Sequence, residues 1–251
     1  MTVRHDDCTV TWLGYATARV TVDGGPTVYT DPGRYGIFAG EWSDRYGGVP
    51  HPDPDGYDAR DGDLVLVTHD HHYSSAGVRA VADEDATVVV YEGVDAANVD
   101  RDVEPVAALP YDVRRVAYGD TLTVEGVEVE VVPGYNEPEG PRAAPDGSVP
   151  HPVGFGCGFR IVVGETPVFW PGDSDALPHH EDVDASLFLP PIGRSYTMDR
   201  HEAAVLAEAI DPDLVLPIHY NTFEGLRADS RAFAADVASR GVPVVLDESD
   251  D

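Results

Sequence analysis

Apolar and polar positions alternate with a period of two over residues 8–13, 18–22 and 27–30, which turns alternate side chains of an extended chain inward. Asp23-Gly24-Gly25-Pro26 supplies the turn between the second and third runs, so the chain opens as an antiparallel meander. Periodicity then vanishes from 31 to 61, where Gly, Pro and aromatic residues (Phe38, Trp42, Tyr46, Tyr57) mark a long loop of the kind that lines functional sites. The continuous apolar run 63–67 reads as a strand buried on both faces. Ser74 or Ser75 caps a predicted helix through Ala82, and 87–91 is the next strand, which completes a βαβ unit.

Residues 121–124 and 127–131 alternate as a hairpin across Glu125-Gly126. A second Pro/Gly-rich loop spans 133–152, followed by strands at 155–163 and 167–170. The remainder predicts strands at 185–189, 214–218 and 242–246, with helices over 199–210 and 230–240. Strands in the middle of each half with helices flanking them fit two packed sheets with helices outside. No composition break marks a linker, so residues 1–251 are expected to form a single domain.

Charge changes the picture of the environment. Against 46 acidic residues stand 16 basic ones, all arginine, for a formal net charge of -30. Such self-repulsion is tolerable when concentrated salt screens it, which points to a salt-accumulating, halophilic source. No arginine cluster exceeds Arg114-Arg115, so nucleic acid is not an expected partner. There is no apolar leader and no run near the ~20 apolar residues of a membrane span, so a cytoplasmic protein without a membrane partner is expected. Cys8 and Cys157 lie in apolar strand-like settings and read as buried free thiols.

Candidate chemistry gathers at the ends of the apolar strands. His69 and His71, spaced i, i+2 after the 63–67 strand, can turn both rings toward one ion. Three further features end apolar strands or lie in the long loop: His151 in Pro150-His151-Pro152, Asp173 in Gly172-Asp173-Ser174, and His219 in Pro217-Ile218-His219-Tyr220. The bland readings are assigned elsewhere: Asp70 to a supporting or surface acid, His179 and His180 to an exposed loop, Trp12 and Trp170 to the core, and Trp42 to the lining of a site. Tyr196 is divided between a substrate contact and a packed loop aromatic.

The ordered set Thr11-Trp12-Leu13-Gly14, Tyr29-Thr30-Asp31-Pro32, the His69 segment, Pro133-Gly134-Tyr135-Asn136, Gly172-Asp173-Ser174, Tyr196-Thr197-Met198 and Pro217-Ile218-His219-Tyr220 resembles the metallo-β-lactamase superfamily, near its ascorbate-6-phosphate lactonase-like branch. The resemblance covers nearly the whole chain and implies an α/β fold, a four-layer αββα sandwich. Its signature His-x-His-x-Asp-His, a later His, a Gly-Asp-[Ser/Thr] aspartate and a final His implies metal ligands at His69, His71, His151, Asp173 and His219, with Asp173 and His219 also carrying catalysis. Where the signature has Asp-His, this chain has Tyr73-Ser74, a phenol and a hydroxyl that are poor ligands near neutral pH; His72 is the candidate substitute.

Counting donors therefore gives one divalent ion, zinc first with manganese or iron as alternatives, and a second position with too few ligands. The implied activity is metal-dependent hydrolysis of a small ester, lactone or phosphoester. The alternative is a non-catalytic metal-binding or regulatory domain that has lost the second metal site. The expected partner is a small-molecule substrate, and a homo-oligomer stays open.

Overall fold

The computed structural model describes residues 2–39 and 57–248. The readings for Trp42 and Tyr46 fall outside these residues. Thirteen strands form two sheets among the described residues. The first holds seven, in chain order: β1 (Val3–His5), β2 (Cys8–Gly14), β3 (Thr17–Val22), β4 (Thr27–Thr30), β5 (Gly62–Val67), β6 (Ala82–Tyr91) and β7 (Asp112–Val116). β1 to β4 pair antiparallel, and β4 to β7 run parallel.

The second sheet holds six strands: β8 (Thr121–Val124), β9 (Val127–Gly134), β10 (Gly156–Val163), β11 (Thr166–Trp170), β12 (Leu187–Phe188) and β13 (Leu214–Val215). It is antiparallel from β8 to β11 and parallel from β11 to β13. Both sheets thus change from antiparallel hairpins to parallel crossovers, and the parallel strand ends deliver the loops that carry chemistry.

Among the described residues three α-helices connect and cover the sheets: α1 (Ser75–Val81), α2 (Arg200–Ile210) and α3 (Ser230–Ser239). Ser74 caps α1 by accepting from the Gly77 amide. At α2, Asp199 and Glu202 form a reciprocal capping box. A Cβ on Gly77 would sit 2.0 Å from the Pro32 carbonyl oxygen, so only glycine lets α1 lie this close to the turn that follows β4.

The core is apolar and continuous between the layers, with Val10, Trp12, Val20, Leu64, Leu66, Val88, Phe159, Ile161, Phe169 and Phe188 all essentially solvent-free. β6 begins at Ala82 rather than Thr87, because α1 ends directly into it. The expected strand at 242–246 contributes only a bridge between Val215 and Val244. His180 is buried rather than exposed: the turn at Leu177-Pro178 folds it inward, where its Nε2 meets the Pro133 carbonyl at 2.9 Å.

Candidate metal centre

β5 runs into Thr68-His69, and a buried carboxylate fixes that exit. Asp31, at the end of β4, accepts the Thr68 amide (2.8 Å), the Thr68 hydroxyl (2.8 Å) and the Trp170 indole N–H (2.9 Å). Its Oδ2 also lies 3.0 Å from His72 Nδ1. Asp31 is fully buried, so these donors are both its compensation and the reason the His69 segment has a defined position. His69 bridges to Gly156, where a Cβ would stand 2.8 Å from the His69 Cβ.

The loop 133–152 folds back and seats His151. Asn136 brackets it, donating its amide to the His151 carbonyl (2.7 Å) and accepting the His151 amide at Oδ1 (3.0 Å). His151 Nδ1 lies 3.1 Å from the Tyr196 carbonyl. That carbonyl only accepts, so Nδ1 carries the proton and Nε2 presents its lone pair to the centre. Tyr196 thus meets His151 through its backbone, while the residue as a whole is 41% exposed and lines the cavity above.

The second sheet brings Asp173 after β11, on the turn at Gly172 (φ 66°). His219 follows Ile218, and its amide donates to the Tyr15 carbonyl at 2.8 Å with φ 58°. Both residues are buried.

The five expected residues converge. His71 Nδ1 and His151 Nε2 are 3.1 Å apart, and Asp173 Oδ2 is 3.7 Å from His69 Nε2 and 3.6 Å from His151 Nε2. Asp173 Oδ1 faces the other way, 3.2 Å from His219 Nε2 and 3.4 Å from His72 Nε2. His69 Nε2 and Asp173 Oδ1 are buried without a hydrogen-bond partner. Orphaned lone pairs of this kind are costly unless a cation satisfies them, so the donor set fits a divalent ion.

Protonation agrees with ligand roles. Burial pushes His69 well below its usual pKa and His219 down to about 4, which leaves neutral imidazoles. Burial opposes ionisation of Asp173, but His219 and His72 outweigh it and hold the carboxyl well below its usual range. His72 goes the other way: burial lowers it, yet Asp173 and Asp31 lift it to about 9. Before an ion binds, His72 is the positive charge between two buried carboxylates.

The residues that stand in for the Asp-His of the signature face away. Tyr73 donates its hydroxyl to the Glu104 carbonyl (2.7 Å), and Ser74 is spent on the α1 cap. Asp70 is buried rather than at the surface, accepting from the Asp95 amide (2.6 Å) and Asn98 (3.1 Å), which anchors the next loop. Sequence reasoning did not assign a role to Asp31, Asn136 or Tyr15. The centre floors a cavity of about 570 Å³ lined by Tyr15, Arg34, Tyr35, Arg142, Tyr196 and Phe223.

Residues 9–219 match the family model described as a β-lactamase superfamily domain. The chain belongs to the metallo-β-lactamase superfamily. Relatives include a UPF0173 metal-dependent hydrolase of Methanopyrus kandleri, 31% identical over 245 residues and covering 94% of each chain, and one of Pyrococcus furiosus, 28% identical over 94% of this chain and 95% of the relative. Among solved structures, the metallo hydrolase Igni18 of Ignicoccus hospitalis superposes with a TM-score of 0.70 at 22% identity, over 97% of this chain and 96% of the other. The metallo-β-lactamase fold protein YhfI of Bacillus subtilis gives 0.65 at 14% identity, over 98% and 99%. This metallo-β-lactamase superfamily member is therefore a metal-dependent hydrolase in the generic sense of its relatives, with His and Asp groups suited to a divalent ion. Among the described residues no helix is long and apolar enough to cross a membrane.

Proposed function

We propose that the protein hydrolyses a small ester, lactone or phosphoester, that zinc is its ion, and that of the three substrates a phosphoester suits the pocket best. The observation that carries the reading is the convergence of His69, His71, His151 and Asp173, with His69 Nε2 left without a partner, beneath a cavity that His71, His151 and Asp173 line. A divalent ion bound there supplies Lewis acidity and a nucleophile at neutral pH. Asp173, kept ionised by the histidines around it, would hold and orient that nucleophile. His219 Nε2 lies 3.2 Å from Asp173 Oδ1, on the side of the carboxylate turned away from His69 and His151.

The cavity wall argues for an anionic substrate. Arg142 is neutralised by Glu202 and Asp175, so it braces the 133–152 loop rather than offering charge. Arg34 has no carboxylate partner among the described residues; it donates to the His71 carbonyl and lies 4.4 Å over the Tyr35 ring. In a chain of net charge -30, a guanidinium beside the centre with no carboxylate partner among the described residues is notable, and its planar donors suit phosphate oxygens. The Tyr15 hydroxyl, also without a partner among the described residues, can donate to the same ligand.

The test is turnover of matched aryl carboxylic esters, lactones and phosphoesters in molar KCl with added zinc or manganese. Chelator-sensitive hydrolysis is expected, with Arg34→Ala raising KM for the phosphoester about tenfold, an ion pair's worth of ~1.4 kcal/mol, and leaving the neutral ester unchanged. Tight metal retention without turnover of any of the three would replace this reading by the non-catalytic metal-binding domain.

A further inference from the structure

The second ion position of the superfamily signature needs ligands at 73 and 74, and here both side chains are committed elsewhere. A different imidazole fills the space. The backbone turns tightly after His69, with the His72 and Tyr73 amides both donating to the His69 carbonyl at 3.2 Å, and this turn drives the His72 ring inward to full burial. A one-residue displacement along the chain is thereby converted into a place at the centre.

Three distances define what His72 meets there. Its Nε2 is 3.2 Å from His219 Nε2 and 3.4 Å from Asp173 Oδ1, and those two atoms are 3.2 Å from each other. Ligands on a tetrahedral ion with bonds of about 2.0–2.1 Å are separated by about 3.3 Å. The triangle therefore has the edge length of one face of a coordination tetrahedron. The other ring nitrogen is held by Asp31 Oδ2 at 3.0 Å, the carboxylate–histidine arrangement that orients ligating imidazoles and leaves the far nitrogen's lone pair on the ion. Asp173 divides its oxygens, Oδ2 toward His69 and His151 and Oδ1 toward His72 and His219, which is the geometry of a bridging carboxylate.

We infer that this chain rebuilds a second divalent-metal site from His72, Asp173 and His219, replacing the carboxylate and imidazole of the signature by a single histidine from the adjacent position. The inference rests on the proposed metal-dependent function. It revises the donor count made from sequence, which gave the second position Asp173 and His219 as its good donors and His72 only as a candidate substitute. The rebuilt site has three protein donors and leaves one position for water or substrate. It also lacks the additional carboxylate of the signature, so two ions share a single acidic ligand, Asp173. The second ion consequently binds more weakly than the first and fills in a separate phase.

The experiment is metal counting on the chelator-stripped full chain in molar KCl, by equilibrium dialysis against stepped free zinc with elemental analysis. The wild type is expected to reach two ions per chain in two phases, His72→Ala to stop at one, and Tyr73→Phe to reach two. A wild type that saturates at one ion, or a folded His72→Ala that still binds two, overturns the inference. A wild type that binds none overturns the proposed function with it. Should His72→Ala fail to fold, cobalt-loaded wild-type crystals decide the matter: an anomalous peak among His72 Nε2, His219 Nε2 and Asp173 Oδ1 supports the site, and its absence beside a fully occupied first ion refutes it.

Discussion

Asp31 is buried beneath the centre, and Asp31→Asn removes its charge at almost constant volume. Oδ1 accepts the Thr68 amide, while Oδ2 accepts the Thr68 hydroxyl and the Trp170 indole and faces His72 Nδ1. An amide cannot serve all of these. With its oxygen toward Trp170, its NH2 confronts the Thr68 N–H; flipped, it confronts the indole N–H, which only donates. One stranded donor costs about 2 kcal/mol, and three remaining bonds lose about 1 kcal/mol each as their acceptor becomes neutral. Relief of the buried charge's desolvation offsets part of that sum, leaving a net loss of about 3 kcal/mol. Against a total stability of about 5–15 kcal/mol this is large. Urea unfolding of metal-free protein in molar KCl reads it as a midpoint lowered by about 1–1.5 M with the slope unchanged. A loss under about 1 kcal/mol would show that Asp31 does not organise the β5 exit as described.

The net charge of -30 makes folding dependent on screening, so the melting temperature should be higher in molar KCl than in dilute buffer, by about 2–4 °C for each kcal/mol of repulsion relieved; an unchanged melt contradicts the halophilic reading. His151→Ala should lower retained metal about as much as His71→Ala, whereas His179→Ala, whose ring meets the Pro133 carbonyl outside the centre, should not; equal metal content in wild type and His151→Ala removes that residue from the ligand set. Burial raises the pKa of Cys8 to about 11 and that of Cys157 well above the ordinary thiol, so both are protonated and shielded in the fold. At pH 8 in molar KCl a thiol reagent should find no reactive group until denaturant is added, and then two.

The meander, the βαβ unit and the hairpin across Glu125-Gly126 were legible because alternation and turn residues coincide there. β7 was not: Arg114 and Arg115 are exposed on this strand at the sheet edge, and a polar run of Asp112–Val116 carries no period. At the centre, His69, His71, Asp173 and His219 follow strand ends, and the structure brings them together with His151. Asp31 and Asn136 stood in the motifs that carry the resemblance but received no role, because their partners lie 37 and 15 residues away, and a carboxylate or amide in a loop announces nothing about what it will accept. His72 was seen only as a substitute, since its placement depends on the tight turn after His69, which the residue pattern does not specify. The i, i+2 spacing of His69 and His71 was a moderate signal by itself and became readable with His151, Asp173 and His219 beside it.

The central claim is that these side chains hold a divalent ion, and anomalous diffraction from crystals grown in high salt with zinc tests it most directly. Data collected on either side of the zinc edge should place a full-occupancy peak within bonding distance, about 2.0–2.2 Å, of His69 Nε2, His71 Nδ1, His151 Nε2 and an Asp173 oxygen. Zinc-replete crystals with no edge-dependent peak among these four residues would contradict the account.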